Sequence, residues 1–420
     1  MALEAASEPP RRETPLWDVL LGLALAAFAA ALCLAASRQI DSRLANPLAG
    51  DIWFASDIPY RLEVMLQPGG WENGGAHPLF PSIGHALLVV TGPFTHSTDP
   101  MRRAALAGAL TAALFVAVLF ALFRKMRLAR LDAALFAAIA ATSAGALFWF
   151  PVPESFGLAG LGVAIALWVT ASPSPSAAAL TAGCLASASS ILTNGLVGAL
   201  AAFAHNPRPR QWTRALGCGL AALGLLAALW SLQEWSHGTP FFLSDRLLEY
   251  REHLYPTSLD RTSQVLQGLL SHSVVAPEPQ SARPSFRRVV IATNGPVGVV
   301  ATLAWLALLG LGTVRCLGAA RAGERRPLAV TAFGGLLLFV AMHLTLGREM
   351  FLYAMDVLPL LLTLAAASAC VPERRLLVRG LALVLLIAGA ANNLAQFSRA
   401  AETARTLAAE RVPAAPAPPR

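Results

Sequence analysis

The sequence predicts an all-α integral membrane protein, a polytopic bundle of about eleven transmembrane helices with a juxtamembrane helix in the first outside loop. Three observations lead there. Hydrophobic residues make up 56% of the 420 and charged residues only 13%, whereas a soluble domain carries roughly a quarter charged. Apolar runs such as Pro15–Ser37, Ala104–Phe123 and Pro296–Val314 are long enough to cross about 30 Å of hydrocarbon as helices. Short arginine clusters separate these runs. A bilayer core cannot hydrogen-bond exposed backbone, so Leu- and Ala-rich spans must be helical.

The first run, 15–37, follows Arg11 and Arg12 and is too long for a signal-peptide h-region. Leu32 before Cys33 also spoils a lipoprotein box, so the run is expected to be an uncleaved anchor. Arg124-Lys125-Met126-Arg127 with Arg130, Arg208/Arg210/Arg214, Arg321/Arg325/Arg326 and Arg374/Arg375/Arg379 should face the cytoplasm with Arg11/Arg12. Keeping them on one side demands an outside loop over 38–102. The short apolar stretch Pro78–Pro93, which contains His85, then lies in that loop as an interfacial helix.

Further spans follow at 104–123, 131–149, 156–171, 177–191, 194–205, 213–232, 295–314, 328–345, 350–370 and 378–396. Only Thr193-Asn194 separates 177–191 from 194–205, yet one long helix would carry Arg208 and Arg210 outside. Two helices are therefore expected. The organisation predicted is a cytoplasmic N-terminus (1–14), a membrane domain (15–396) with outside loops 38–102, 150–155 and 233–293, and a disordered tail (397–420). Within the last loop, Asp245–Tyr255 has helical spacing and Pro277–Pro284 reads as a connector.

Several function classes drop out. The net charge of +8 sits in clusters between apolar runs, with no basic patch interleaved with aromatics, so nucleic-acid binding is not expected. The cysteines Cys33, Cys184, Cys218, Cys316 and Cys370 fall inside spans or at their ends, which argues against a structural disulfide. There is no CxxC or Cys/His metal spacing, no Walker A, no HExxH and no GxSxG. The spans carry no ladder of charges of the kind an ion or proton transporter needs.

Chemistry, if present, belongs to the polar loop 38–102, which holds Asp51, Asp57, Arg61, Glu63, Glu72, His77, His85, His96, Asp99, Arg102 and Arg103. Asp57 and Arg61 are four apart and would share a helix face. Trp53, Phe54 and Tyr60 surround them as candidate interfacial anchors. Residue types leave two readings open: a solvated interfacial loop, or a carboxylate poised for acid–base work on a lipid-linked substrate. Glu154, in the turn Pro151-Val152-Pro153-Glu154, is either a second carboxylate facing that loop or an acid snorkelling to water. Arg348 beside Glu349 either grips a phosphate in a bidentate fork or forms an ion pair. Gly157-x-x-Gly160-x-Gly162 and Gly195-x-x-Gly198 read as helix-packing contacts. His343 and Asp356 fall within spans, near enough to an end for partial solvation.

The ordered set resembles the GT-C superfamily of membrane glycosyltransferases, which use polyprenyl-phosphate sugars. A first span is followed by an outside loop with an acid (Trp53-Phe54-Ala55-Ser56-Asp57-Ile58-Pro59-Tyr60), then a His77-Pro78-Leu79-Phe80-Pro81 box, then Met101-Arg102 opening a span, then Glu154 in a second outside loop. Leu192-Thr193-Asn194 and Arg348-Glu349-Met350-Phe351-Leu352-Tyr353 are similar to segments of uncharacterised bacterial members. The resemblance implies an inverting transferase of the bacterial cytoplasmic membrane with its active face outside. It would take a polyprenyl-phosphate-linked sugar and a glycan, lipid or protein acceptor. Carried over by position, Asp57 is the base, Asp51 the runner-up, and Glu154 contacts the acceptor or tunes Asp57. Arg61, His77, Arg102 and Arg348 would bind substrate, with His77 organising the loop and Arg102 and Arg348 holding phosphate. Many members have adjacent acids in the first loop, whereas Ile58 follows Asp57 here, so no obligatory metal is expected. A non-catalytic scaffold or lipid-binding subunit of envelope glycan assembly is the competing reading.

Overall fold

A computed structural model of the chain describes residues 15–67, 69, 77–95, 97–238, 254–281, 289–291, 295–323, 325–347 and 349–412. Among these, fifteen α-helices follow in order: α1 (Pro15–Ser37), α2 (Ile58–Leu66), α3 (Phe80–Thr91), α4 (Pro100–Lys125), α5 (Arg130–Thr142), α6 (Ala144–Trp149), α7 (Phe156–Thr170), α8 (Ala177–Ser190), α9 (Gly195–His205), α10 (Trp212–His237), α11 (Leu259–Leu266), α12 (Pro296–Arg321), α13 (Arg326–His343), α14 (Ala354–Ala366) and α15 (Arg375–Arg411). Two three-residue strands, β1 (Pro279–Ser281) and β2 (Val289–Ile291), pair antiparallel with Gln280 opposite Val290. The all-helical membrane architecture is as the sequence predicts.

The count of eleven spans is not reproduced. Among the described residues, seven helical stretches are long and apolar enough to cross a membrane. Helices α7, α8 and α9 have 15, 14 and 11 residues, and the segment expected at 131–149 breaks at Ser143. The break has a local cause. Ser143 is extended and its hydroxyl caps α6 by accepting from the Ala146 N–H at 3.3 Å. The N–H groups of Ala144 and Gly145 donate instead to the carbonyls of Val274 and Ser273. Between α8 and α9, an extended Ile191 and the 3₁₀ turn Leu192–Asn194 separate two helices, as expected.

Close backbone approach organises the middle of the bundle. A Cβ on Gly162 would run into the Ala186 carbonyl of α8, and one on Gly198 would meet Cys184 Cα at 2.5 Å. These glycines pack helices, as their spacing suggests. Asp356 and His343 are buried rather than partly solvated. Asp356 accepts from Asn194 Nδ2 at 2.8 Å, tying α9 to α14. All five cysteines are free.

Two further expectations are corrected. Residues 397–411, expected within a disordered tail, continue α15. Phe397, Ala401, Ala404 and Ala408 recur at helical spacing and are buried, and Arg411 donates to the Ala49 carbonyl of the first loop at 2.7 Å. Residues 413–420, residues 245–253 of the expected 245–255 helix, and Arg348 lie outside the described residues. Trp53 and Phe54 are not interfacial anchors. Both are buried among Phe148, Trp149, Phe351 and Phe397, and the Trp53 indole donates to the Phe148 carbonyl at 3.3 Å. Tyr60 stays exposed.

The basic clusters gather at one end of the bundle. Asp18 of α1 binds Arg124 and Arg130 at 3.1 and 2.6 Å. Asp132 of α5 binds Arg375 and Arg379 at 3.0 and 2.6 Å. Arg214 donates to the Pro175 carbonyl, and Lys125 to Ser172 Oγ. The first loop lies at the other end, where α3 is held to α10 by Gln233, which donates to the Pro78 carbonyl and accepts from Ser82 Oγ.

Substituting Gly162→Ala should therefore cost roughly 1–3 kcal/mol by overpacking, seen as a lower thermal midpoint of the detergent-solubilised chain. Gly217→Ala, in the interior of α10 where nothing lies within 4 Å, should not lower the midpoint and should raise it slightly through helix propensity.

Candidate active site

The first loop folds onto the aromatic cluster through a turn with two non-glycine residues at positive φ, Phe54 (49°) and Ala55 (61°). Such backbone costs on the order of 1–3 kcal/mol per residue and persists only where packing imposes it. Here the buried Trp53 and Phe54 rings impose it, with the Ala55 and Ser56 N–H groups donating to the carbonyls of Asp51 and Trp53. The turn delivers Asp57 to the N-terminus of α2, where Pro59 in the first turn pre-sets a helical φ. Asp57 makes no side-chain capping bond. Its carboxylate faces outward, 53% exposed.

Glu154 holds this residue from behind. Its side chain is 1% exposed. One oxygen accepts the Asp57 backbone N–H at 3.0 Å, and the other accepts the Ser155 N–H at 3.0 Å and faces Arg61 Nε at 3.4 Å. Burial pushes the Glu154 carboxyl above its ordinary range and the Asp57 charge adds to this, while Arg61 and the two N–H groups pull the other way. The solvated, snorkelling acid is thus not what this residue is.

Arg61, one turn into α2, is buried at the centre. It faces Glu154 on one side, Asp57 Oδ2 at 3.5 Å on another and His77 Nε2 at 2.9 Å on a third. The Phe80 ring lies 6.0 Å from the guanidinium. His77 Nδ1 sits 3.0 Å from the Ser190 carbonyl at the end of α8. A carbonyl cannot donate, so Nδ1 carries the proton and Nε2 accepts from Arg61. The imidazole is neutral in this arrangement. Burial, and then the Arg61 charge, hold its pKa well below the ordinary 6.5, against the opposing pull of the Ser190 carbonyl.

Of the residues singled out from the sequence, the structure brings Asp57, Arg61, His77 and Glu154 together. Asp51 lies instead 3.7 Å from Arg411 of α15. Arg102 is 77% exposed and 3.7 Å from Asp99. Arg348 lies outside the described residues. Ser190 and Phe80 join the cluster without having been expected. Ser190 acts through its backbone carbonyl, which has no residue-type signature. Phe80 stood in the His-Pro-Leu box as a neighbour only. Among the described residues no three His, Cys, Asp or Glu side chains converge as metal ligands.

No protein-family model matches the sequence, and no curated protein matches it. Among solved structures, the chain is similar to ArnT from Cupriavidus metallidurans, whose crystal structure has undecaprenyl phosphate bound. The two superpose with a TM-score of 0.55 over 95% of this chain and 78% of that one, at 16% identity. The chain shares the membrane fold of that protein. At that identity the likeness speaks for the fold alone, and the acidic–basic cluster must be argued from its own geometry.

The neutral His77 makes stability pH-dependent with a definite sign. Its folded pKa is depressed, so as pH falls below about 6.5 the unfolded chain binds the proton that the folded site refuses. Stability is then lost progressively towards the folded pKa. A His77→Gln variant, which can still accept from Arg61, should show a flatter dependence of thermal midpoint on pH between about 7 and about 5.

Proposed function

We propose that the chain transfers a sugar from a polyprenyl-phosphate donor to an acceptor hydroxyl, with inversion, at the outer face of the cytoplasmic membrane. The observation that carries this reading is Asp57: an outward-facing carboxylate, fixed through its backbone N–H by the buried Glu154. A general base must come within about 3 Å of the proton it takes, and a carboxylate at a helix start, free of capping duty, can do so. Asp57 would accept the acceptor's hydroxyl proton as that oxygen attacks the anomeric carbon from the face opposite the phosphate. The carbon–oxygen bond to phosphate breaks, and its electron pair leaves with the polyprenyl phosphate.

The departing phosphate requires positive charge. Arg61 points towards Asp57 and carries a charge that neutral His77 does not oppose. Arg102 and Arg348 are the further candidates from the sequence. Glu154 is a positioning residue, since it touches Asp57 only through the backbone. With a single carboxylate in the turn, the scheme relies on arginine and invokes no metal. Sidedness rests on the positive-inside rule: the basic clusters occupy the end of the bundle opposite Asp57. The ArnT likeness supports a polyprenyl phosphate as the lipid partner, because that protein's structure contains one.

A non-catalytic, lipid-binding subunit is the alternative. The small space beside Glu154, ≈ 20 Å³ and lined by Met65, Phe80 and Phe150, favours it. One assay separates the two. The purified chain, given a panel of polyprenyl-phosphate sugars and a lipid extract, should glycosylate an acceptor, and Asp57→Asn should lower the rate by about 10²–10⁴-fold. Undiminished transfer by Asp57→Asn removes that residue from the role, and no transfer from any donor favours the alternative.

A further inference from the structure

A large space lies at the other end of the bundle from Asp57. It is a cavity of ≈ 790 Å³ where the ends of α4, α7, α9 and α12 meet the loop before α13. That volume is within the range of about 300–1,000 Å³ usual for ligand sites. Lys125, Arg127, Arg315 and Arg325 line it together with His205, and no carboxylate stands among its described lining residues. Leu328 and Ala329 give it an apolar floor. Helix α7 runs from Glu154 at one end to this cavity at the other, and its fifteen residues put the two sites roughly 22 Å apart at 1.5 Å per residue.

Two simpler roles for these cations are insufficient. Lys125 does complement a helix end, donating to the Trp168 carbonyl and Ser172 Oγ and lying 3.6 Å from the Trp168 ring centre. Arg127 and Arg325, however, are exposed on the cavity rim. Orientation by the positive-inside rule needs basic loops but not their convergence on one hollow. Arg127 and Arg325 have φ of 60° and 47°. Only four described residues other than glycine have positive φ, and the other two are Phe54 and Ala55, in the Asp57 turn. At Arg127 the left-handed backbone closes α4, with the Leu128 N–H donating to the Phe123 carbonyl at 3.2 Å.

We infer that this cavity binds a phosphate group, held by Arg127 and Arg325 above an apolar floor. A lipid headgroup or a free phosphate compound would present the same chemistry. The inference stands independently of sugar transfer.

The test is equilibrium binding to the full chain in uncharged detergent, with three probes: dioctanoyl phosphatidic acid, dioctanoylglycerol and inorganic phosphate. One phosphate-bearing probe should bind per chain, more weakly as salt rises, and dioctanoylglycerol should not. Phosphatidic acid that inorganic phosphate cannot displace identifies a lipid headgroup; displacement identifies a free phosphate compound. The double variant Arg127→Gln/Arg325→Gln should weaken binding by at least about tenfold, the loss expected for one or two charge-assisted hydrogen bonds. Its counterpart Arg127→Lys/Arg325→Lys should retain most of it. Failure of both phosphate probes to bind, equal binding of dioctanoylglycerol, or unchanged binding by the glutamine double variant overturns the inference.

Discussion

Burying the Arg61 guanidinium is the constraint on which the first loop depends. A charge taken out of water costs several kcal/mol unless it is paired and hydrogen-bonded, so Arg61 dictates what surrounds it. Glu154 supplies the opposing charge, and His77 supplies an acceptor without adding a second cation. These partners come from distant parts of the chain: the α6–α7 turn, the His-Pro-Leu box and, behind His77, the end of α8. Satisfying one arginine thereby fastens α2 to α3, α7 and α8. Asp57 benefits without being buried itself. Its backbone is fixed while its carboxylate remains outside.

The aromatic cluster does the complementary work. Trp53, Phe54, Phe148, Phe351 and Phe397 draw the loop, the α6 helix, the turn before α14 and the last helix into one apolar centre. Their burial pays for the left-handed turn at Phe54-Ala55. The extension of α15 to Arg411 follows from the same contacts, since Phe397 and the small residues after it lie on the face turned towards residues 41–51.

Much of this was legible in the residues. Long apolar runs foretold the helices, and the four-residue spacing of Asp57 and Arg61 foretold a shared helix face. The order of acidic turn, His-Pro-Leu box and Glu154 foretold a membrane fold like that of ArnT. What remained hidden were tertiary facts. Trp and Phe beside a polar turn look the same whether they anchor to lipid or pack inward, and only Phe148, Phe351 and Phe397 decide it. The break at Ser143 depends on carbonyls more than a hundred residues away. Asp51 and Asp57 are equivalent on spacing alone, yet Arg411, in a segment that reads as tail, lies beside Asp51. The arginines of the opposite end read as topology signals, and no periodicity reveals that they converge on one cavity.

That the buried Arg61 and Glu154 charges depend on one another is the central claim, and a double-mutant cycle on stability tests it without requiring a known substrate. Thermal or denaturant stability would be measured for the chain, Arg61→Met, Glu154→Gln and the double variant. Each single change leaves a buried partner stranded, whereas the double change removes both charges, so the losses should be strongly non-additive, with a coupling of roughly 1–3 kcal/mol. Additive losses within about 0.5 kcal/mol would mean that the two residues do not support one another, and the ion pair would not be what holds the first loop in place.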